Sequence, residues 1–361
     1  MKKLVEQLIR SSPEHRIDMA RYMETVLYHE TEGYYRKTGE KIGRQGDFYT
    51  SASMHPVFGK VLAECFIEWC SRFQIQPSIC ELGAGGGTLA ASVIEHWQAT
   101  SRETFADLHY YVIEGSPYHR ELIKKRIPGD GPLVVFDSLE AFVAKHRAFD
   151  GIFLSNEFFD ALPVRVVEND GEALKEIAVT INEYGKLCET VVPLTDPTVV
   201  DWIDRYGYLP EKGQRIEIPI AMTEVLDQIT ASLKRGLVLT FDYGFTEKEA
   251  KHPSRRRGTL RGYYRHQLIG DVLAHPGNMD LTFHVPLDAY RKIMSDRDMM
   301  SVWSGTQRQF LLKNGIRSHL RQPEDTDPFS DARKQNRAVF NLISEAGMGH
   351  AFSVLLHKKK E

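Results

Sequence analysis

Apolar positions along the 361-residue chain fall into two kinds of run. In the first 75 residues they recur at helical spacing. Leu4, Val5, Leu8 and Ile9 mark one face of a short amphipathic helix. Ile17, Met19, Ala20, Met23, Val26 and Leu27 mark a second helix ending at Tyr28. Val57, Val61, Leu62, Cys65, Phe66 and Trp69 predict a third from about Pro56 to Phe73. From residue 78 short buried runs alternate with helical patterns. Ser78–Leu82, Tyr110–Glu114, Leu133–Phe136 and Gly151–Leu154 are predicted strands. Helices from about Thr88, over Tyr118–Ile127 and over Leu139–His146 connect them. Strands alternating with helices imply a parallel sheet with right-handed crossovers.

That rhythm breaks after Pro163, where residues 163–192 alternate as antiparallel strands do. It returns with a helix near Ile220–Leu233 and a strand over Leu237–Phe241. Charges, glycines and histidines crowd residues 243–285, which read as long loops around a site. Residues 321–329 read as a surface linker. A helix over about Asp331–Glu345, the turn Gly347-Met348-Gly349 and a strand over Ala351–Leu356 close the chain. The expected fold is α/β: a seven-stranded, mainly parallel sheet with helices on both faces and its final strand antiparallel. Residues 1–75 form an N-terminal helical segment and lid. Residues 76–361 form one ligand-binding domain, with insertions near 163–215 and 243–285.

Composition is that of an ordinary globular protein, with 42% hydrophobic and 26% charged residues. A formal net charge of −3 argues against a general nucleic-acid binder, which needs a basic surface. No apolar run reaches the roughly 18 residues of a transmembrane helix. The start, MKKLVEQLIR, lacks the apolar stretch of a secretory signal. A cytoplasmic location is expected, without membrane insertion. Cys65, Cys70, Cys80 and Cys188 form no CxxC pair and read as free thiols. His252, His266, His275 and His284 are too widely spaced for a local metal motif, so no metal is expected. Arg255-Arg256-Arg257 reads as a solvated loop and Lys358-Lys359-Lys360 as a solvated tail.

The sharpest local signal is Glu81-Leu82-Gly83-Ala84-Gly85-Gly86-Gly87-Thr88, an acid closing a buried strand and running into a glycine turn and a helix. Glycines there permit positive φ and a close approach of backbone to ligand. Open α/β sheets bind ligands at this end of their strands. The spacing is GxGxG; the dinucleotide fingerprint would have glycine where Thr88 stands. Glu81 suits a ligand carrying positive charge. S-adenosyl-L-methionine, with an amino group and a sulfonium, meets both conditions better than the pyrophosphate of NAD. Glu114 ends the next strand, where an acid accepts hydrogen bonds from ribose hydroxyls. Asp137 and Ser138 end the third strand, placed for the adenine amino group or, equally, to cap the following helix. Asn156, Glu157 and Asp160 follow the fourth strand, near the reacting methyl group. Glu157 and Asp160 suit a guanidinium, accepting its hydrogen bonds and orienting its nitrogen. Phe158 and Phe159 could stack on a cation, or fill the core; at least one is expected to be core.

Several further segments fit one family. RIDMARYMETVLYHETEGYY, Gly46-Asp47-Phe48-Tyr49-Thr50-Ser51, ELGAGGGTL, SNEFFDALPV, Asp242-Tyr243-Gly244, RGTLRGYYRHQ, HPGNMDLTFHV and Gly347-Met348-Gly349 span nearly the whole chain. In these the protein resembles the MidA family of S-adenosylmethionine-dependent methyltransferases. Ala84 and Gly86 replace the proline and arginine found in many members. The resemblance implies a class I, Rossmann-like methyltransferase core, with the cofactor held by Gly83, Gly85, Gly87 and Glu114, and with Thr50 in a segment that closes over it. It also implies a protein substrate, since mitochondrial members that assist complex I assembly are associated with symmetric dimethylation of an arginine. A protein arginine methyltransferase is therefore expected, with a homodimer as its candidate assembly. A non-catalytic cofactor-binding assembly factor and an NAD-dependent dehydrogenase are the rival functions.

Overall fold

The computed structural model describes residues 1–39, 55–129, 131–322, 327, 330–344 and 351–360. A short strand, β1 (Arg16–Asp18), precedes four strands of the central sheet: β2 (Ser78–Leu82), β3 (His109–Ile113), β4 (Leu133–Phe136) and β5 (Phe149–Asn156). An insertion supplies β6 (Arg165–Asn169), β7 (Leu174–Ile181), β8 (Leu187–Pro193) and β9 (Arg215–Ile218). Then come β10 (Leu233–Phe245), β11 (Arg261–Tyr264), β12 (Gln267–Ile269), β13 (Asp280–Thr282), β14 (Val285–Pro286), β15 (Met299–Thr306) and β16 (Phe352–Lys359).

The central sheet runs β15-β16-β10-β5-β2-β3-β4, with β14 beside β10. Strands β4, β3, β2, β5 and β10 are mutually parallel, and β16 is antiparallel to both β10 and β15. The sheet is thus mixed, and among the described residues it has eight strands rather than the expected seven. The eighth is the two-residue β14, which pairs with the last residues of a β10 longer than its apolar run.

Alternation along each strand sorts side chains to two faces. Ile79, Tyr110, Val112, Ile152, Leu154 and Phe241 pack against the helices Val57–Phe73, Thr88–Thr100, Gln307–Lys313 and Asp331–Ile343. Cys80, Leu82, Phe153, Val238 and Leu355 pack on the other face, against the helices Leu139–Lys145, Pro197–Tyr206, Ile220–Ser232 and Leu287–Ser295. A third core joins the helices Lys2–Ser11 and Met19–Tyr28 to the insertion sheet and to Leu281 and Phe283.

Three expectations are corrected here. The N-terminal segment is not purely helical: Asp18 caps the helix at Met19, and the residues before it pair as β1 with β7. Residues 243–285 are not only loops, since β11, β12 and β13 form a small antiparallel sheet. The terminal lysines are not a free tail: Lys358 and Lys359 belong to β16, and the Lys359 ammonium donates to the carbonyl of Thr230 at 3.1 Å. Gly347-Met348-Gly349 lies outside the described residues.

Candidate active site

The turn after β2 is built for glycine. Gly83, Gly85 and Gly87 have φ of +65°, +54° and +72°. A Cβ on Gly83 would lie 2.8 Å from the Phe158 ring, and one on Gly87 would lie 2.9 Å from Ile123 Cγ1. Gly87 also caps the helix Thr88–Thr100, so backbone N–H groups at that helix start face the turn. Glu114, buried just beyond β3, holds the turn in place: its Oε2 accepts from Gly85 N at 2.8 Å and its Oε1 from Ser116 N at 2.7 Å. Arg126 donates to the Gly86 carbonyl and the Thr88 hydroxyl.

Glu81 is buried one residue before the end of β2. Its Oε2 accepts from the Tyr110 hydroxyl at 2.6 Å. Burial pushes its carboxyl up to about 7; the Tyr110 hydrogen bond opposes the rise and the Glu114 charge adds to it. A cation nearby would favour its ionised form. A turn closed to a Cβ at Gly83 and Gly87, with two buried acids beside it, therefore fits a cofactor that is both a nucleoside and a cation.

The neighbouring strand β5 ends in Asn156. The Asn156 amide donates to Glu157 Oε1 at 3.2 Å, while its Oδ1 is buried without a partner among the described residues. Glu157 sits at φ +55°, held there by its N–H donating to the Phe241 carbonyl at 2.9 Å. Asp242 fastens the residues that follow. Its Oδ2 accepts from Phe159 N at 2.8 Å and Phe158 N at 3.3 Å, and its Oδ1 from Tyr243 N at 2.9 Å. Burial raises the Asp242 carboxyl to about 7 against the pull of those N–H groups. Asp160 is pushed well above the carboxylate range by burial first, then by the charges of Asp242, Glu157 and Asp280, with Arg261 opposing.

The N-terminal segment reaches the same place. The Tyr28 hydroxyl donates to the Ala161 carbonyl at 2.8 Å and its ring stacks on Tyr35 at 5.5 Å. Tyr35 bonds to buried Asp280, and Arg36 donates to the carbonyl of Gly115, next to Glu114. Glycine turn, acid cluster and N-terminal tyrosines thus converge at the carboxyl ends of β2, β3, β5 and β10.

Residues 61–303 match the family model of the S-adenosyl-L-methionine-dependent methyltransferases. The chain belongs to that family. It is an S-adenosylmethionine-dependent methyltransferase, as the MidA-like motifs imply. Among curated proteins, the mitochondrial protein arginine methyltransferase NDUFAF7 of Rattus norvegicus is 28% identical over 95% of this chain and 82% of its own. The Homo sapiens NDUFAF7 is 28% identical over 93% of this chain and 79% of its own. Among solved structures, a Burkholderia thailandensis protein bound to S-adenosyl-homocysteine has a TM-score of 0.87 and 28% identity, covering 99% of this chain and 91% of that one.

In this methyltransferase the structure brings Glu81, Gly83, Gly85, Gly87, Glu114, Asn156, Glu157 and Asp160 together. Phe158 packs against Gly83, whereas Phe159 is wholly buried core against Tyr290. Asp137 is exposed, and the Ser138 hydroxyl accepts from Ala141 N at 3.2 Å, capping the helix Leu139–Lys145. Thr50 and its GDFYTS segment lie outside the described residues. Asp242, Asp280, Tyr28 and Tyr35 are the site residues that pattern and spacing did not single out. Asp242 and Asp280 do stand inside the DYG and HPGNMDLT motifs, which is the signal that marks them. Among the described residues no helix is long and apolar enough to cross a membrane.

Proposed function

We propose that this enzyme methylates a guanidinium nitrogen of an arginine on a protein, using the Asn156–Glu157 pair to hold that nitrogen. One observation carries this: an amide oxygen, buried and unpartnered among the described residues, stands beside a carboxylate on a backbone-strained turn, next to the glycine cradle. Both are acceptors, and a guanidinium is a planar fork of donors. The names of the curated relatives, protein arginine methyltransferases, support the same acceptor.

When bound, the cofactor supplies a methyl group on a cationic sulfur. The protein's part is alignment and electrostatics. Gly83, Gly85, Gly87 and Glu114 would hold the nucleoside, Glu81 would supply a negative charge for its cationic end, and Asp137 is the candidate for the adenine amino group. Burial and the charges of Asp242, Glu157 and Asp280 disfavour the Asp160 carboxylate, and a guanidinium beside it would favour the ionised form. We assign the sheet to the class I methyltransferase core, with β14 as an addition to its seven strands.

The test is transfer of labelled methyl groups from S-adenosylmethionine to proteins, followed by hydrolysis and amino-acid analysis. Label in methylarginine supports the proposal; label confined to other residues refutes it.

A further inference from the structure

Two hydrogen-bond donors at the acceptor end of the sheet are buried and unpaired among the described residues: Arg261 Nε and His284 Nδ1. The two side chains touch, the Arg261 guanidinium meeting His284 Nε2. A guanidinium only donates, so Nε2 accepts, and a neutral His284 carries its proton on Nδ1. Burial, with Arg261 and Arg255 beside it, pushes the imidazole down to about 3 and keeps it neutral.

The pair is built into the fold. His284 N donates to the Thr259 hydroxyl at 2.9 Å. Buried Glu217 in β9 fixes that stretch, accepting from Thr259 N at 2.6 Å and Leu260 N at 2.9 Å. The His284 ring lies parallel to Tyr243, centroids 5.9 Å apart, and Tyr243 follows the Asp242 that fastens the Phe158–Phe159 turn. Glu157 and Asp160 act electrostatically on Tyr243, and Arg261 acts on Asp160. The two donors therefore border the transfer centre. Buried donors left without an acceptor are disfavoured, and a guanidinium with a neighbouring N–H matches a group that is anionic and accepts only.

We propose that Arg261 and His284 form a carboxylate-binding subsite beside the transfer centre. Its ligand is either the carboxylate at the amino-acid end of the cofactor or that of an acidic residue next to the target arginine; only the second source rests on the arginine acceptor proposed above.

Isothermal titration of the full-length protein tests this with two matched pairs. One pair is S-adenosylhomocysteine and its decarboxylated analogue. The other, added with S-adenosylhomocysteine present, is N-acetyl-Asp-Arg amide and N-acetyl-Asn-Arg amide. In one pair the carboxylate ligand should bind about tenfold more tightly than its partner, and Arg261→Gln and His284→Ala should each abolish most of that preference. Preference in the first pair names the cofactor as the source, and in the second the acceptor. No preference in either pair with the unaltered protein overturns the subsite, whether or not the variants fold. So does a preference that survives both substitutions. Failure of the arginine reading looks different: neither dipeptide binds, while the preference in the first pair persists.

Discussion

The Tyr35 hydroxyl donates to Asp280 Oδ1 at 2.6 Å, joining residues 245 positions apart. Asp280 is buried beside Asp160, and burial together with the Asp280 charge drives the Tyr35 hydroxyl far above its ordinary range. The bond ties the N-terminal segment to the acid cluster of the site.

Tyr35→Phe keeps the ring and its stack on Tyr28 but leaves Asp280 short of a donor. A stability loss of about 1–3 kcal/mol is expected, seen as a lower urea midpoint with an unchanged slope. An unshifted midpoint would show that the bond adds nothing.

Gly83→Ala forces a Cβ into the Phe158 ring at a residue with φ of +65°. Affinity for S-adenosylhomocysteine should fall by about tenfold or more, with the fold retained by circular dichroism. Titration giving an unaltered Kd would mean that the turn has room to spare.

Glu157→Gln preserves shape and removes a charge. Cofactor affinity should stay within about threefold while single-turnover transfer slows by about a hundredfold, a loss confined to the reacting state. Unchanged single-turnover rates would remove Glu157 from the chemistry.

Glu81 makes stability depend on pH. Its folded-state carboxyl lies at about 7, above the ordinary 4.5, because it is buried. The folded protein therefore keeps a proton that the unfolded chain has lost. The contribution is fully present below about pH 4.5 and disappears as pH rises to about 7, amounting to about 3 kcal/mol at most. Urea unfolding at pH 5 and pH 8 should show Glu81→Gln losing less stability across that interval than the unaltered protein. Equal losses would contradict the assignment.

Much of the sheet was legible because buried parallel strands are continuous apolar runs and glycine turns have a short local signature. The strand β15 was not. It lies at the sheet edge, Met300 and Val302 are exposed, and the segment shows neither alternation nor an apolar run. Strand β1 is three residues long, too short for any period to show. The site divides in the same way. Glu81, Glu114 and Glu157 stand at strand ends, where position alone marks them. Asp242 and Asp280 matter through Phe159 and Tyr35, partners 83 and 245 positions away that no local pattern announces. At Ser138 the capping alternative is the one seen, a residue at a strand end whose hydroxyl accepts from Ala141 N.

The position of β16 bears on biosynthesis. Residues 352–359 lie between β10 and β15, inside the sheet rather than at its rim. A nascent chain emerging N-terminus first can form the glycine cradle and its parallel neighbours early. It cannot close the sheet until these residues leave the ribosome. Until then β10 exposes an unpaired edge, and β15 has no sheet to join. A chain halted before residue 352 would thus carry an open β10 edge prone to aggregate.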